Sequence, residues 1–179
     1  MLSITASLFE TKIPKFMYRS GPVQNITPKD ILKITSTIKY DNHTDDEYKI
    51  KSIDQILKTR EGICYDIVEL ERELFTKLHY EFKTFFAYQG LPIDEHPTHT
   101  FLVFKENNKY YWFESSWESY RAIHNPFNSY KEVCNYVVKQ LKQSSNWKSV
   151  KIIEYTSFNY KNMNPNDFAE YIVTNYDNN

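Results

Sequence analysis

The clearest hydrophobic pattern in the chain is a stripe of apolar residues at helical spacing that begins beside Cys64. Its members recur at steps of three and four: Ile63, Ile67, Leu70, Leu74 and Leu78. Such a stripe is typical of an amphipathic helix that packs one side against a core. The charged residues among them predict the solvent-exposed side of that helix: Glu69, Glu71, Arg72, Glu73 and Lys77.

Capping signals predict four further helices. Thr27-Pro28 followed by Asp30 predicts a helix over about 28–39, because proline suits the first helical position and an acid suits the first turn. Ser52 predicts the start of a short helix. The Ser-x-x-Glu pattern at Ser129 predicts another helix, and Asn164 with the proline after it predicts a last one through about residue 174.

Four stretches have the two-residue alternation and the aromatic and β-branched residues that are typical of strands: 81–88, 99–104, 110–114 and 150–155. Residues 1–26 carry prolines and a Gly-Pro breaker and no such period. Helices come first and strands then follow with a few helices between them. This order predicts an α+β fold with a mainly antiparallel sheet, formed by residues 1–179 as a single domain.

The strands 99–104 and 110–114 predict a hairpin, with Asn107-Asn108 as a two-residue turn because asparagine tolerates positive φ. In that register His99 lies opposite Ser116. Glu114 is then diagonal to His99 on the same face, within reach of a long side chain. A register shifted by one residue would place the two side chains on opposite faces.

The composition argues against nucleic acid and membranes as partners. The chain has 179 residues, a formal net charge of −1 and 17% aromatic residues, so it offers a sizeable core but no basic surface for nucleic acid. No stretch approaches 18 apolar residues, and the N-terminus lacks the pattern of a signal peptide. With two cysteines, Cys64 and Cys134, we expect a reduced, cytoplasmic protein that does not associate with membranes.

Cys64 is the candidate nucleophile. It follows Gly62 closely and opens the predicted helix, and the helix dipole and free amides at such a position favour a thiolate. The same amides can donate to an oxyanion. The alternative is that Cys64 is a small buried core residue, as free cysteines often are.

A base and an orienting carboxylate follow in order along the chain. His99 opens a strand and shares a face with Glu114, so we prefer it to the other histidines, which are His43, His79, His96 and His124. Asp94 and Glu118 are the alternatives to Glu114. A metal site formed by Cys64, His96 and His99 is a weaker hypothesis, because it matches no closed zinc pattern and lacks an obvious fourth ligand.

These motifs resemble the transglutaminase-like superfamily, whose members have the papain-like cysteine protease fold. The matching residues are Arg60, Gly62 and Cys64 at a helix start, His99 at the opening of a strand, and Glu114 followed by Trp117. The likeness covers about residues 28–120, and residues 121–179 form a C-terminal extension of the same domain. The third residue is usually aspartate in the family, and here it is the longer Glu114.

The resemblance implies a nucleophile helix packed on an antiparallel sheet and a Cys-His-Glu triad acting on a peptide or protein amide through a thioester. It implies no cofactor and no metal, and it leaves water and an amine open as acyl acceptors. Tyr40 or Gln55 is implied as a further oxyanion donor, and Trp117 as part of a substrate groove. Two alternatives remain: a non-catalytic peptide- or glycan-binding module that retains the fold, and a structural protein.

Overall fold

The computed structural model describes residues 26–42 and 47–177, and predictions for residues 1–25 and for His43 lie outside these ranges. The described part has five α-helices: α1 (Pro28–Thr35), α2 (Ile53–Thr59), α3 (Cys64–Lys77), α4 (Tyr130–Ser144) and α5 (Pro165–Tyr176). Its strands are β1 (Lys39–Tyr40), β2 (Glu61–Gly62), β3 (Glu81–Tyr88), β4 (Thr98–Glu106), β5 (Lys109–Glu114), β6 (Ala122–Ile123) and β7 (Lys151–Tyr155). Within the described ranges, no helix is both long and apolar enough to cross a membrane.

The architecture is α+β, as the order of elements predicted. A five-stranded antiparallel sheet, in the order β6-β5-β4-β3-β7, lies between two helical layers. One face packs against α1, α2, α3 and α5. The other face, with Phe101 and Trp112, packs against Val133 and Val137 of α4. The C-terminal extension thus supplies both edge strands and the helix that covers the second face.

Helix α1 is shorter than predicted and ends at Thr35 instead of near residue 39. The hydroxyl of Thr35 donates to the Ile31 carbonyl, and that of Thr37 to the Ile34 carbonyl, at 3.1 and 2.7 Å. Threonine hydroxyls that bond the backbone in this way compete with the helical ladder. The chain then leaves the helix as β1, where the Lys39 N–H donates to the Arg60 carbonyl at 2.8 Å.

The predicted exposed side of the Cys64 helix is wrong in part. Glu69 and Glu71 are only 3% and 2% exposed. Helices α1 and α2 pack against α3 in addition to the sheet, so α3 has little free surface. The buried carboxylates therefore need partners. Glu69 pairs with Arg72 at 3.3 Å, and Glu71 accepts a hydrogen bond from the Ser115 hydroxyl.

The predicted hairpin is confirmed. Asn107 and Asn108 have φ of 51° and 59°, as a two-residue turn with the twist of the strands requires. Glu106 pairs with Lys109 across the turn, and the same register continues along β4 and β5. Strand alternation in this register brings Glu114 and His99 to one face of the sheet.

Candidate functional site

The start of α3 is held by a close approach between Gly62 and Asp66. The Asp66 carboxylate accepts the N–H of Ile63 at 2.8 Å and the N–H of Lys51 at 2.6 Å, and it also accepts the Tyr48 hydroxyl. A Cβ on Gly62 would lie 2.9 Å from the Asp66 Cβ, closer than real side chains approach. Glycine is thus required there, and the approach fixes the turn that presents Cys64.

Cys64 is the first residue of α3 and is 5% exposed. The parallel pairing of β1 with β2 sets Tyr40 opposite Gly62, beside the approach to the cysteine. The Tyr40 hydroxyl lies close enough to the side chain and the backbone N–H of Cys64 for both to affect its pKa. The negative charge of the Cys64 sulfur, together with burial, raises the pKa of Tyr40. A hydroxyl and a backbone amide therefore meet where an oxyanion would form beside the sulfur.

His99 is the second residue of β4 and connects the cysteine to a carboxylate. Its Nε2 lies 2.8 Å from Glu114 Oε2, and the ring lies close enough to Cys64 for that side chain to affect the pKa of His99. Burial alone would lower the pKa of His99. The negative charge of Glu114 and the bonds with Cys64 and Glu114 outweigh burial and raise that pKa to about 10. The surroundings thus stabilise the imidazolium form.

Glu114 ends β5 and is 1% exposed. Its Oε1 accepts three hydrogen bonds, from Ser116 N and Oγ at 2.9 Å each and from Trp117 N at 2.7 Å. Burial would raise the pKa of Glu114, but the charge and hydrogen bond of His99 and these donors hold it below its usual value. The turn after β5 therefore keeps a buried carboxylate ionised and aimed at His99.

The weaker predicted site residues lie in different places. The Trp117 ring meets the His99 ring edge-on, with centroids 5.8 Å apart, and Tyr40 lies beside Cys64. Gln55 is exposed in the first turn of α2, where its Oε1 accepts the Ser52 N–H at 2.7 Å. The structure does not bring Gln55 to Cys64, because its side chain already completes the cap of its own helix.

Two of the other histidines, His96 and His124, lie in different surroundings. His124 stacks on Trp112 with centroids 4.1 Å apart, and its Nε2 contacts the Tyr120 carbonyl at 2.8 Å. His96 caps the short 3-10 helix Ile93–Glu95, which also contains Asp94. Across residues 26–42 and 47–177, no three His, Cys, Asp or Glu side chains are grouped so as to hold a metal ion.

Cys134 lies on α4, remote from α3 across the sheet, and is a partly buried free thiol. Burial, with a smaller contribution from Glu154, raises the pKa of Cys134 to about 12. Such a thiol is poorly nucleophilic at neutral pH. The two free cysteines of the chain thus have different surroundings, which makes Cys134 a natural internal reference for Cys64.

One site residue was missed by the sequence analysis. Glu71 lies two turns after Cys64 on the same side of α3, and it accepts the hydroxyl of Ser115, the residue after Glu114. Burial, more than the charge of Glu114, raises the pKa of Glu71 well above its usual value, which favours the protonated carboxyl. The seven-residue spacing from Cys64 is the sequence signal that links the two residues.

A pocket of about 660 Å³ opens beside the triad. Its wall includes His99, Tyr40 and Trp117, together with the turn after α1 and Trp147 beyond α4. Pockets of this size hold small molecules or peptide side chains. The pocket gives a ligand access to His99 and Tyr40, whereas Cys64 itself is not part of its wall.

Comparison with known proteins adds no assignment, since no family model and no curated protein matches the chain. Function must therefore be argued from the site. Its elements are a thiol at a helix N-terminus, an imidazole that contacts it, a buried carboxylate that orients the imidazole, and a pocket at their side. Together they can move a proton from sulfur to nitrogen and stabilise the resulting ion pair.

Proposed function

We propose that the protein is a cysteine-dependent amide hydrolase or acyl transferase of the transglutaminase-like superfamily, with a papain-like fold. The observation that carries the proposal is the position of His99, which lies beside Cys64 and contacts Glu114 through Nε2 at 2.8 Å. The α+β architecture and the order of the three residues along the chain support the family assignment.

In the first half-reaction, the Cys64 thiolate attacks the carbonyl carbon of a peptide or protein amide. The carbonyl π electrons move to oxygen, and the Cys64 N–H and the Tyr40 hydroxyl are the proposed donors to that oxyanion. When the carbonyl re-forms, the C–N bond breaks. The leaving amine takes the proton that His99 holds, and a thioester remains on Cys64.

In the second half-reaction, neutral His99 accepts a proton from water or from an amine while that nucleophile attacks the thioester. The C–S bond breaks, and the sulfur leaves as thiolate beside the re-formed imidazolium. Water gives a carboxylic acid and an amine gives a new amide. Glu114 neither gains nor loses a proton in either half-reaction, since its role is to fix the tautomer of His99 and to stabilise the imidazolium form of His99.

The experiment is to trap the acyl-enzyme. The protein is incubated with p-nitrophenyl acetate, quenched in acid and digested, and the acetylated cysteine is located by mass spectrometry. We expect acetyl on Cys64, its removal by hydroxylamine, and no acetylation of Cys134. Cys64→Ser should abolish p-nitrophenol release above background, whereas the matched Cys134→Ser variant should release it like the wild type.

A non-catalytic peptide- or glycan-binding module is the second candidate, and the aromatic side chains Tyr40, Trp117 and Trp147 in the pocket wall favour it. The same assay separates the two. If Cys64 reacts no faster than Cys134 and forms no acyl adduct, the enzyme proposal is wrong and the pocket serves binding alone.

A further inference from the structure

The pocket beside the triad has a charged wall that the reaction itself does not use. Three charged side chains line it apart from His99: Lys39, Glu118 and Arg121. Lys39 and Glu118 are exposed, and Lys39 is also 3.7 Å from Glu61. Exposed charges of this kind are screened by water and salt and select ligands weakly.

Arg121 differs from both, because it is half-buried and fixed in direction. Its Nε donates to the Ser115 carbonyl at 2.9 Å. Ser115 stands between Glu114 and the donors that hold Glu114, so the guanidinium is anchored to the same turn as the triad acid. For the described part of the chain, the structure records no ion pair for Arg121.

A guanidinium anchored through Nε keeps its two terminal nitrogens for a planar anion. Arginine binds carboxylates through such pairs of parallel N–H donors, and partial burial strengthens the attraction. Cationic Arg121 and Lys39 outnumber the single carboxylate of Glu118 in the pocket wall. The pocket is therefore complementary to a negatively charged group that sits close to His99.

We propose that this pocket is a specificity site for a carboxylate on the substrate, with Arg121 as its principal ligand-binding residue. The inference rests on the proposed function and defines its substrate class as acidic peptide amides. The carboxylate can belong to an aspartate or glutamate side chain or to a peptide C-terminus, since both present the same two oxygens to the guanidinium.

The first test needs no turnover. Cys64 is alkylated with iodoacetate, which carries a carboxylate, and with the neutral iodoacetamide, and the ratio of the two rates is measured by mass spectrometry. We expect a ratio at Cys64 above that of free cysteine. Arg121→Gln should lower it by about three- to tenfold, the effect of one partly exposed charge contact. Glu118→Gln should raise the ratio.

The matched control is Lys161→Gln, which removes one positive charge outside the pocket wall and should leave the ratio unchanged. Arg121→Lys keeps the charge without the paired donors and should give an intermediate ratio. A general change in the reactivity of Cys64 alters the rates with iodoacetate and iodoacetamide equally and therefore cancels in their ratio. A variant that merely loosens the turn after β5 would thus not lower the ratio as loss of the Arg121 charge does. A ratio that is equal in wild type and Arg121→Gln would refute the specificity site.

The second test uses substrates and identifies the source of the carboxylate. Peptide amides are compared in three forms: neutral with a blocked C-terminus, the same peptide with one glutamate, and the neutral peptide with a free C-terminus. We expect higher kcat/KM for one acidic form, and loss of that preference in Arg121→Gln. Equal kcat/KM for all three overturns this inference alone, whereas no cleavage of any peptide and no thioester overturns the proposed function.

Discussion

Replacing Glu114 by glutamine tests the triad most directly, because the structure dictates how the new amide must sit. The backbone N–H groups of Ser116 and Trp117 both point at Oε1 and need an acceptor there. The amide oxygen of glutamine must therefore stay with them, and its NH₂ must face His99 Nε2. Nε2 then has to accept, so the ring proton moves to Nδ1, on the side of the sulfur.

A ring with its proton already on Nδ1 cannot take the proton of Cys64 at that nitrogen. If the ring became imidazolium, its Nε2–H and the glutamine NH₂ would be two donors facing each other. The variant also loses a charge-assisted hydrogen bond of 2.8 Å between His99 and Glu114. Bonds of this kind contribute about 1.5–3 kcal/mol. At about 1.4 kcal/mol per factor of ten, Cys64 should react about 10- to 150-fold more slowly at neutral pH.

The assay is iodoacetamide labelling of Cys64 from pH 5 to 9, with Cys134 as the internal reference in the same digest. Glu114→Gln should fold, and its labelling profile should shift to higher pH. Glu114→Asp should be less affected, since the charge remains and only reach is lost. If Glu114→Gln labels like the wild type at every pH, Glu114 does not orient His99, and the hypothesis moves to Glu118 or to a cysteine-histidine pair.

Three further predictions test neighbouring residues. Tyr40→Phe should slow amide hydrolysis by about 10²–10³-fold, as loss of an oxyanion donor does. Iodoacetamide labelling should change far less, because alkylation forms no oxyanion; equal effects in both assays would contradict that role. In denaturant unfolding at pH 8, Glu71→Gln should have a higher unfolding free energy than wild type. This difference in unfolding free energy should shrink as the pH is lowered towards 4. The pKa of Glu71 is raised in the folded state, so wild type loses stability as pH rises through it. A stability difference that is the same at pH 8 and pH 4 would argue against that raised pKa. Cys134→Ala should lower the unfolding free energy by about 1 kcal/mol. Iodoacetamide should label Cys64 in this variant at the same rate as in wild type. Slower labelling in a folded variant would implicate Cys134 in the site.

The hairpin shows what local sequence could predict. A two-residue turn at Asn107-Asn108 fixes the register of both strands, and the register then fixes which residues share a face. The pairing of His99 with Glu114 follows from that parity. No tertiary information was needed, because every step is set by residues within a single hairpin.

The surroundings of the hairpin were not predictable in the same way. The periodicity of α3 correctly marked its apolar stripe but assigned Glu69 and Glu71 to solvent, because it cannot show that their side of the helix also packs against the sheet. Glu71 meets Ser115 there, and Arg72, the partner of Glu69, meets Thr84 of β3. Gln55 looked available as an oxyanion donor because its use as a helix cap is a matter of side-chain geometry. The anchoring of Arg121 to the Ser115 carbonyl depends on how the chain turns after β5, which no pattern in that segment specifies.

Three buried carboxyl groups surround the start of α3, and each is stabilised differently. Asp66 is satisfied by donors that cap the helix, and Glu114 by His99 and the turn after β5. Glu71 accepts the Ser115 hydroxyl, and burial raises its pKa. Fold stability alone does not call for such a cluster, since apolar residues of similar volume pack at lower desolvation cost. Departures from the local rule that charged residues face solvent are expected at functional sites. Their concentration around one thiol, rather than any single contact, is the strongest physical reason to expect chemistry at Cys64.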